Sequence, residues 1–328
     1  MAHTVPANVQ TLVDNADMIY DLMYEKIKTG TQAIYSGAVM TDSRVSELAK
    51  IGIGGTRPMP FLRSINTIQD QIIATGITNT VSNLQSGLDQ AVVLMRLVSL
   101  GQSDLVKIMT GKDPLGEAAK ALASYWLFRL QNIMNNQLNG VFGVADMVSE
   151  RTLDISALSN GAGKISTEAL IDVTAMLGER MSASGVYIMH PKSFAKIAKD
   201  RETRAVVNVN GRESTVYAVD GKSIVLNEKL YDSTSEDYTT YFLSDGAFAL
   251  GQAQAPVPLE YDRLPLVDGG TDILISRMQN ILHPVGIKFT ANAMDKETPT
   301  DEELANSANW ARAYDMSNIL MAKLVHKV

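Results

Sequence analysis

From residue 62 to residue 124 the chain contains no Phe, Tyr or Trp. A stretch of that length without aromatic side chains lacks the large groups that build a private core. Its first half is rich in Thr, Asn, Gln and Ser, with Ile and Val between them, and Gly76 and Gly87 punctuate it. β-Branched residues suit strands and glycines suit turns, so the pattern predicts an extended strand pair. A hairpin that cannot bury itself packs on something else. Its own domain or a neighbouring subunit would serve.

The next segment predicts a helix over 114–139. Asp113-Pro114 supplies a cap and a helix-compatible first residue. Leu115, Ala119, Leu122, Trp126, Leu130 and Ile133 follow one face, and Asn139-Gly140 supplies a stop. Such a helix runs about 39 Å at 1.5 Å per residue, long enough to act as a spine.

Upstream, residues 8–28 read as an amphipathic helix with Asn8 as cap and Val9, Leu12, Val13, Ala16, Ile19 and Met23 at helical spacing. From Gly30 to Pro60 the glycines and prolines predict irregular chain, so 1–58 reads as an arm. Downstream the pattern is α+β. Ser166 caps a helix carrying Leu170, Val173, Leu177 and Met181; a strand at 186–189 ends in His190-Pro191 and leads into a helix near 192–199. Strands at 205–209, 214–219 and 223–226, separated by Asn210-Gly211 and Asp220-Gly221, predict a β-meander. Further strands are predicted at 238–243, 247–250, 257–261, 272–282 and 285–290. Thr300 with Glu303 forms a capping box, and 318–325 reads as a final strand.

Composition narrows the function. The chain has 328 residues, 45% apolar and 20% charged, with no cysteine. Disulfides, thiolate metal sites and cysteine nucleophiles are therefore excluded. No window carries the run of about 20 apolar residues of a membrane span, and no secretory signal is visible at MAHTVPANVQ. Net charge is −7 and the pI near 5.2. That opposes clamping of nucleic acid by phosphate neutralisation and is compatible with a container for it, since an acidic wall repels packaged DNA.

No catalytic or metal-binding constellation is present in the sequence. His3, His190, His283 and His326 have no helical metal-binding spacing, and His190 and His283 read as side chains satisfied by nearby backbone. Gly161-Ala162-Gly163-Lys164 fails the phosphate-loop pattern at Leu158 and Ile165. The run Asp295, Glu297, Asp301, Glu302, Glu303 reads as acids favouring a helix start. Neither a catalytic residue, a cofactor nor a metal is expected.

Several motifs carry a resemblance. Lys112-Asp113-Pro114-Leu115, Ala118-Ala119, Tyr125-Trp126 and Leu138-Asn139-Gly140-Val141-Phe142 resemble a stretch of the major capsid (coat) proteins of tailed double-stranded-DNA bacteriophages. Ile188-Met189-His190-Pro191, the run from Ile281 to Phe289 and the ending Leu324-Val325-His326-Lys327 are similar too. The resemblance covers roughly 59–328. It implies the Hong Kong 97-type α+β fold: an N-terminal arm (1–58), an E-loop (59–100), a P-domain (101–145 and 252–328, with the spine helix at 114–139) and an A-domain (146–251). It further implies a structural protein, not an enzyme, that self-assembles as pentamers and hexamers into an icosahedral shell around double-stranded DNA. Ile72, Ile73, Ile77 and Leu88 are then the E-loop contacts between subunits, and Leu115, Leu122, Trp126 and Ile133 the core face of the spine. The implied partners are a separate scaffolding protein, a portal and, where one exists, a decoration protein, with no sequence-specific DNA binding and no membrane. The protein would be made in a bacterial cytoplasm and reside in the virion. The alternative is an encapsulin-like shell, which resembles the same fold but packs cargo enzymes.

Overall fold

The computed structural model describes residues 37–50, 54–62, 70, 72–73, 86–104, 114–159, 161–181, 184–200, 205–209, 212–216, 218–219, 221–267 and 269–328. The expected helix at 8–28 lies outside them.

Two sheets flank one long helix, Pro114–Val141. In the seven-stranded sheet the order is Thr152–Asp154, Met321–His326, Asp237–Ser244, Gly185–Met189, Lys222–Leu226, Ala218–Val219, with Tyr231–Asp232 beside Asp237–Ser244. Gly185–Met189 is buried throughout, as a strand covered on both faces must be. Side-chain parity sorts its residues. Val186, Ile188, Tyr241 and Leu243 join Leu130, Ile133 and Met134 of the long helix on one face. Tyr187, Met189 and Phe242 meet Leu170, Val173 and Ile197 on the other, where the helices Thr167–Ala175 and Pro191–Asp200 lie.

The five-stranded sheet is built on a 14-residue strand, Thr271–Pro284. Leu94–Ser103, Leu259–Leu264 and Phe248–Ala253 pair with it antiparallel, and Val39–Thr41 adds parallel to Phe248–Ala253. Met278 and Leu282 face the long helix, where Trp126 donates its indole N–H to Ser276 Oγ at 2.9 Å.

Several expectations are corrected. The segment 30–60 is not all irregular: it holds the strand Val39–Thr41, the helix Ser43–Lys50 and the strand Thr56–Leu62. The last contains Pro58 and Pro60 because it is an edge strand, paired on one side only, to Ser86–Val92. The hairpin thus begins at Thr56 and includes Phe61, so its first strand is not free of aromatics, and Gly87 lies within a strand. The long helix runs on through Gly140 to Val141. That glycine is there for close packing, since a Cβ would lie 2.3 Å from the Leu304 carbonyl oxygen. The helix capped by Ser166 stops at Ala175, leaving Met181 exposed beyond it. The meander is two hairpins. Ala205–Val209 and Arg212–Val216 form their own sheet, whereas Ala218–Val219 turns onto Lys222–Leu226, which runs parallel to Gly185–Met189. Ile287–Phe289 does not fold back on the strand before it. Gly286, at φ +85°, redirects the chain to pair with Trp310–Arg312. The capping box at Thr300 and Glu303 is present.

The terminal strand carries an acid-sensitive element. His326 is fully buried, with Nε2 3.0 Å from Thr240 Oγ1 and Nδ1 2.9 Å from the Lys327 carbonyl oxygen. Burial holds its pKa below the usual 6.5, although the Lys327 carbonyl and Asp237 act the other way. The unfolded chain therefore binds that proton more readily than the native one. This contribution to stability is complete above about pH 6.5 and is lost as pH falls towards the native pKa. Melting temperature should drop across that window, and His326→Gln should flatten the dependence there. An unchanged profile in the variant would refute it.

Candidate assembly interface

The hairpin Thr56–Leu62/Ser86–Val92 separates its residues by parity into two faces. Arg57, Met59 and Phe61 alternate with the exposed Pro58, Pro60 and Leu62. The register pairs Met59 with Asp89, Phe61 with Gly87 and Pro60 with Leu88. Met59, Phe61, Gly87 and Asp89 therefore share the face turned to the body, and Pro58, Pro60, Leu62 and Leu88 the outer one. Leu62 is 72% exposed and Leu88 50%. Ile72 and Ile73, in the segment linking the two strands, are 78% and 92% exposed. Ile77 lies outside the described residues.

A second apolar projection sits at the turn between Leu259–Leu264 and Thr271–Pro284. Leu264 and Val267 are partly exposed and Leu266 almost wholly so. The turn is braced. Arg263 pairs with Asp104 and with the buried Asp272, the latter at 2.5 Å, and Asp272 also accepts the Tyr261 hydroxyl at 2.6 Å. An exposed leucine on a fixed turn keeps its place without paying ordering entropy when it is covered.

The residues expected on the spine's core face fall as follows. Leu122, Trp126 and Ile133 are buried, while the Leu115 side chain lies outside the described set. Helix residues turned outward include Phe128, half exposed beneath Lys229. Two polar assignments need correction. His283 is satisfied not by nearby backbone but by the carboxylate of Asp89, 3.0 Å away and distant in sequence. Asp301 does more than favour a helix start: it pairs with Arg129 at 3.1 Å and Arg96 at 3.6 Å, pinning the long helix and the strand Leu94–Ser103 together. Leu62, Leu266 and the Asp89–His283 pair were not singled out from sequence. The period-two alternation of Pro58-Met59-Pro60-Phe61-Leu62 was the available signal for the first.

Among the described residues no group of three or more His, Cys, Asp or Glu is placed to hold a metal ion. No described helix is long and apolar enough to cross a membrane. What the surface offers is apolar side chains on a projecting hairpin and a braced turn, groups suited to burial against another protein surface.

No protein-family model matches the chain. The chain is 33% identical over 311 residues to the major capsid protein of Bacillus phage SPP1, covering 92% of this chain and 94% of that one. Its fold is similar to the capsid of Ralstonia phage GP4, with a TM-score of 0.54 at 9% identity over 91% of this chain and 89% of that chain. The cyanophage Pam1 capsid is similar too, with a TM-score of 0.54 at 10% identity over 89% of this chain and 91% of that chain. The α+β architecture is that of Hong Kong 97-type capsid subunits.

Proposed function

Because the chain belongs to the family of phage major capsid proteins, and so has a structural, shell-forming role in the virion, we propose that it closes an icosahedral head shell of pentamers and hexamers around double-stranded DNA. The observation that carries this is the hairpin, where Leu62 and Leu88 on the outer face and Ile72 and Ile73 in the linking segment are exposed apolar groups. A subunit that never met a copy of itself would gain nothing from keeping them in water. In this reading the hairpin is the E-loop, with its root at Thr56. The arm precedes it, 101–145 and 252–328 are the P-domain with the long helix as its spine, and 146–251 is the A-domain. Scaffolding, portal and decoration proteins are proposed as separate chains, and synthesis is in the host bacterial cytoplasm.

Electron microscopy and sedimentation of the purified protein test this. Closed shells, alone or with a scaffolding protein, are expected. A protein that stays monomeric beside its scaffold and in infected cells would refute the proposal. Shells filled with a protein cargo instead of DNA would favour a nanocompartment. With net charge −7 the subunit should also bind free duplex weakly and without sequence preference at physiological salt. Nanomolar, sequence-selective retardation in a gel would contradict the container role.

A further inference from the structure

Among the described residues the hairpin forms a two-stranded sheet of its own. Its base is fixed, since Ser86–Val92 runs on through Val93 into Leu94–Ser103, Ala91 and Val92 are buried, and the Gly55 N–H donates to the Glu297 carbonyl. Beyond that base no further strand pairs with it, and side chains on its inner face hold it against the body. The Phe61 ring lies against Tyr314, with centroids 4.2 Å apart and planes inclined by 54°. Gly87 backs Phe61 from the opposite strand: a Cβ there would lie 2.3 Å from Phe61 Cζ. Gly286 backs Tyr314, where a Cβ would lie 3.1 Å from ring atoms. Two rings are thus held between two glycines, one on the hairpin and one on the body.

Next to this stack, Asp89 reaches the same point from the same strand. Its Oδ2 accepts from His283 Nε2 at 3.0 Å and from the Gly286 N–H at 3.3 Å. The Asp89 and His283 side chains are only 2% and 3% exposed. Beside these groups lies a cavity of about 600 Å³, lined by Phe61, Asp89, His283 and Tyr314 together with Val45 and Leu48. Among the described residues the cluster therefore borders open space on that side.

We propose that this cluster is a latch that fixes the angle at which the hairpin leaves the body before subunits meet, with Phe61, Asp89 and Tyr314 as positioning residues for shell assembly. The proposal rests on the assembly role given to the hairpin above. A latched hairpin presents Leu62 and Leu88 in one orientation, whereas a swinging one loses conformational entropy at every contact.

The chain has no native cysteine, so cysteines introduced at Lys50 and Leu62, both exposed, carry unique spin labels. Pulsed dipolar spectroscopy on the full chain, held unassembled, reads the hairpin-to-body distance. A single narrow distribution is expected. Gly87→Val pushes the Phe61 ring aside, and Tyr314→Ala removes its support. Each should add a second, displaced population while leaving the subunit folded by circular dichroism, and Tyr314→Phe should restore the narrow one. In the unlabelled background the two disruptive variants should give fewer closed and more misshapen shells, and Tyr314→Phe normal ones. A broad distribution in the parent, or an unchanged one in both variants, would overturn the latch. Displaced hairpins that still build normal shells would overturn the positioning role. A parent that never assembles would overturn the function on which that role rests, while the distances still judge the latch itself.

Discussion

Joining Leu62 to Ser86 through a two-residue Asn-Gly turn, in place of residues 63–85, should leave a soluble, folded subunit that no longer forms stable shells. Leu62 and Ser86 are directly paired at the end of the ladder, so the replacement closes an existing register. Shortening a loop whose ends already meet costs little. The deleted segment includes Ile72 and Ile73, whose exposure means that the subunit's own core does not hold them. Thermal melting should therefore shift by no more than about 1–2 degrees, which corresponds to about 1 kcal/mol for a chain of this length. Sedimentation should show the shell peak lost. Normal shells from the shortened chain, or a chain that no longer folds, would each show that this segment belongs to the subunit core.

Trp126→Ala should act in the opposite way, on folding and not on assembly. The side chain is 4% exposed, lies edge-on to Tyr125 at 5.1 Å and bonds Ser276 across to the five-stranded sheet. Removing a buried large aromatic costs about 3–5 kcal/mol. The Ser276 hydroxyl loses its partner as well, which adds to the penalty. That is a large share of the 5–15 kcal/mol typical of a domain. The expected phenotype is insoluble subunit, read from the soluble fraction and from denaturant melts of what remains. A normally folding and assembling variant would show that this contact between helix and sheet is dispensable.

Periodicity and capping made much of the body legible. The long helix announces itself through Asp113-Pro114 and the spacing of Leu122, Trp126 and Ile133, and the apolar run Val186–Met189 reads as a short strand. What escaped depends on contacts between distant parts of the chain. Gly140 looks like a helix stop because glycine ends helices, yet here it admits the Leu304 carbonyl. Pro58 and Pro60 look like loop residues because most prolines are, yet a strand paired on one side tolerates them. His283 looks like a residue satisfied locally, and its partner Asp89 lies at the other end of the fold's topology. The hairpin's apolar exposure was inferred from missing aromatics, but Phe61 belongs to its first strand and faces inward.

Those two prolines also bear on the geometry of growth. Spaced by two, they place both ring nitrogens on one edge of Thr56–Leu62, and a strand that keeps its ladder to Ser86–Val92 presents that edge outward. The outward edge thus lacks donors at consecutive positions where an incoming strand would seek them. A hairpin with an intact edge could recruit the next hairpin side by side and propagate a fibre, since a head-to-tail contact that does not close has no natural end. Blocked there, association is confined to side-chain faces, whose curvature can return a chain of contacts to its start. In this sense a pair of imino acids favours a closed container over an endless ribbon.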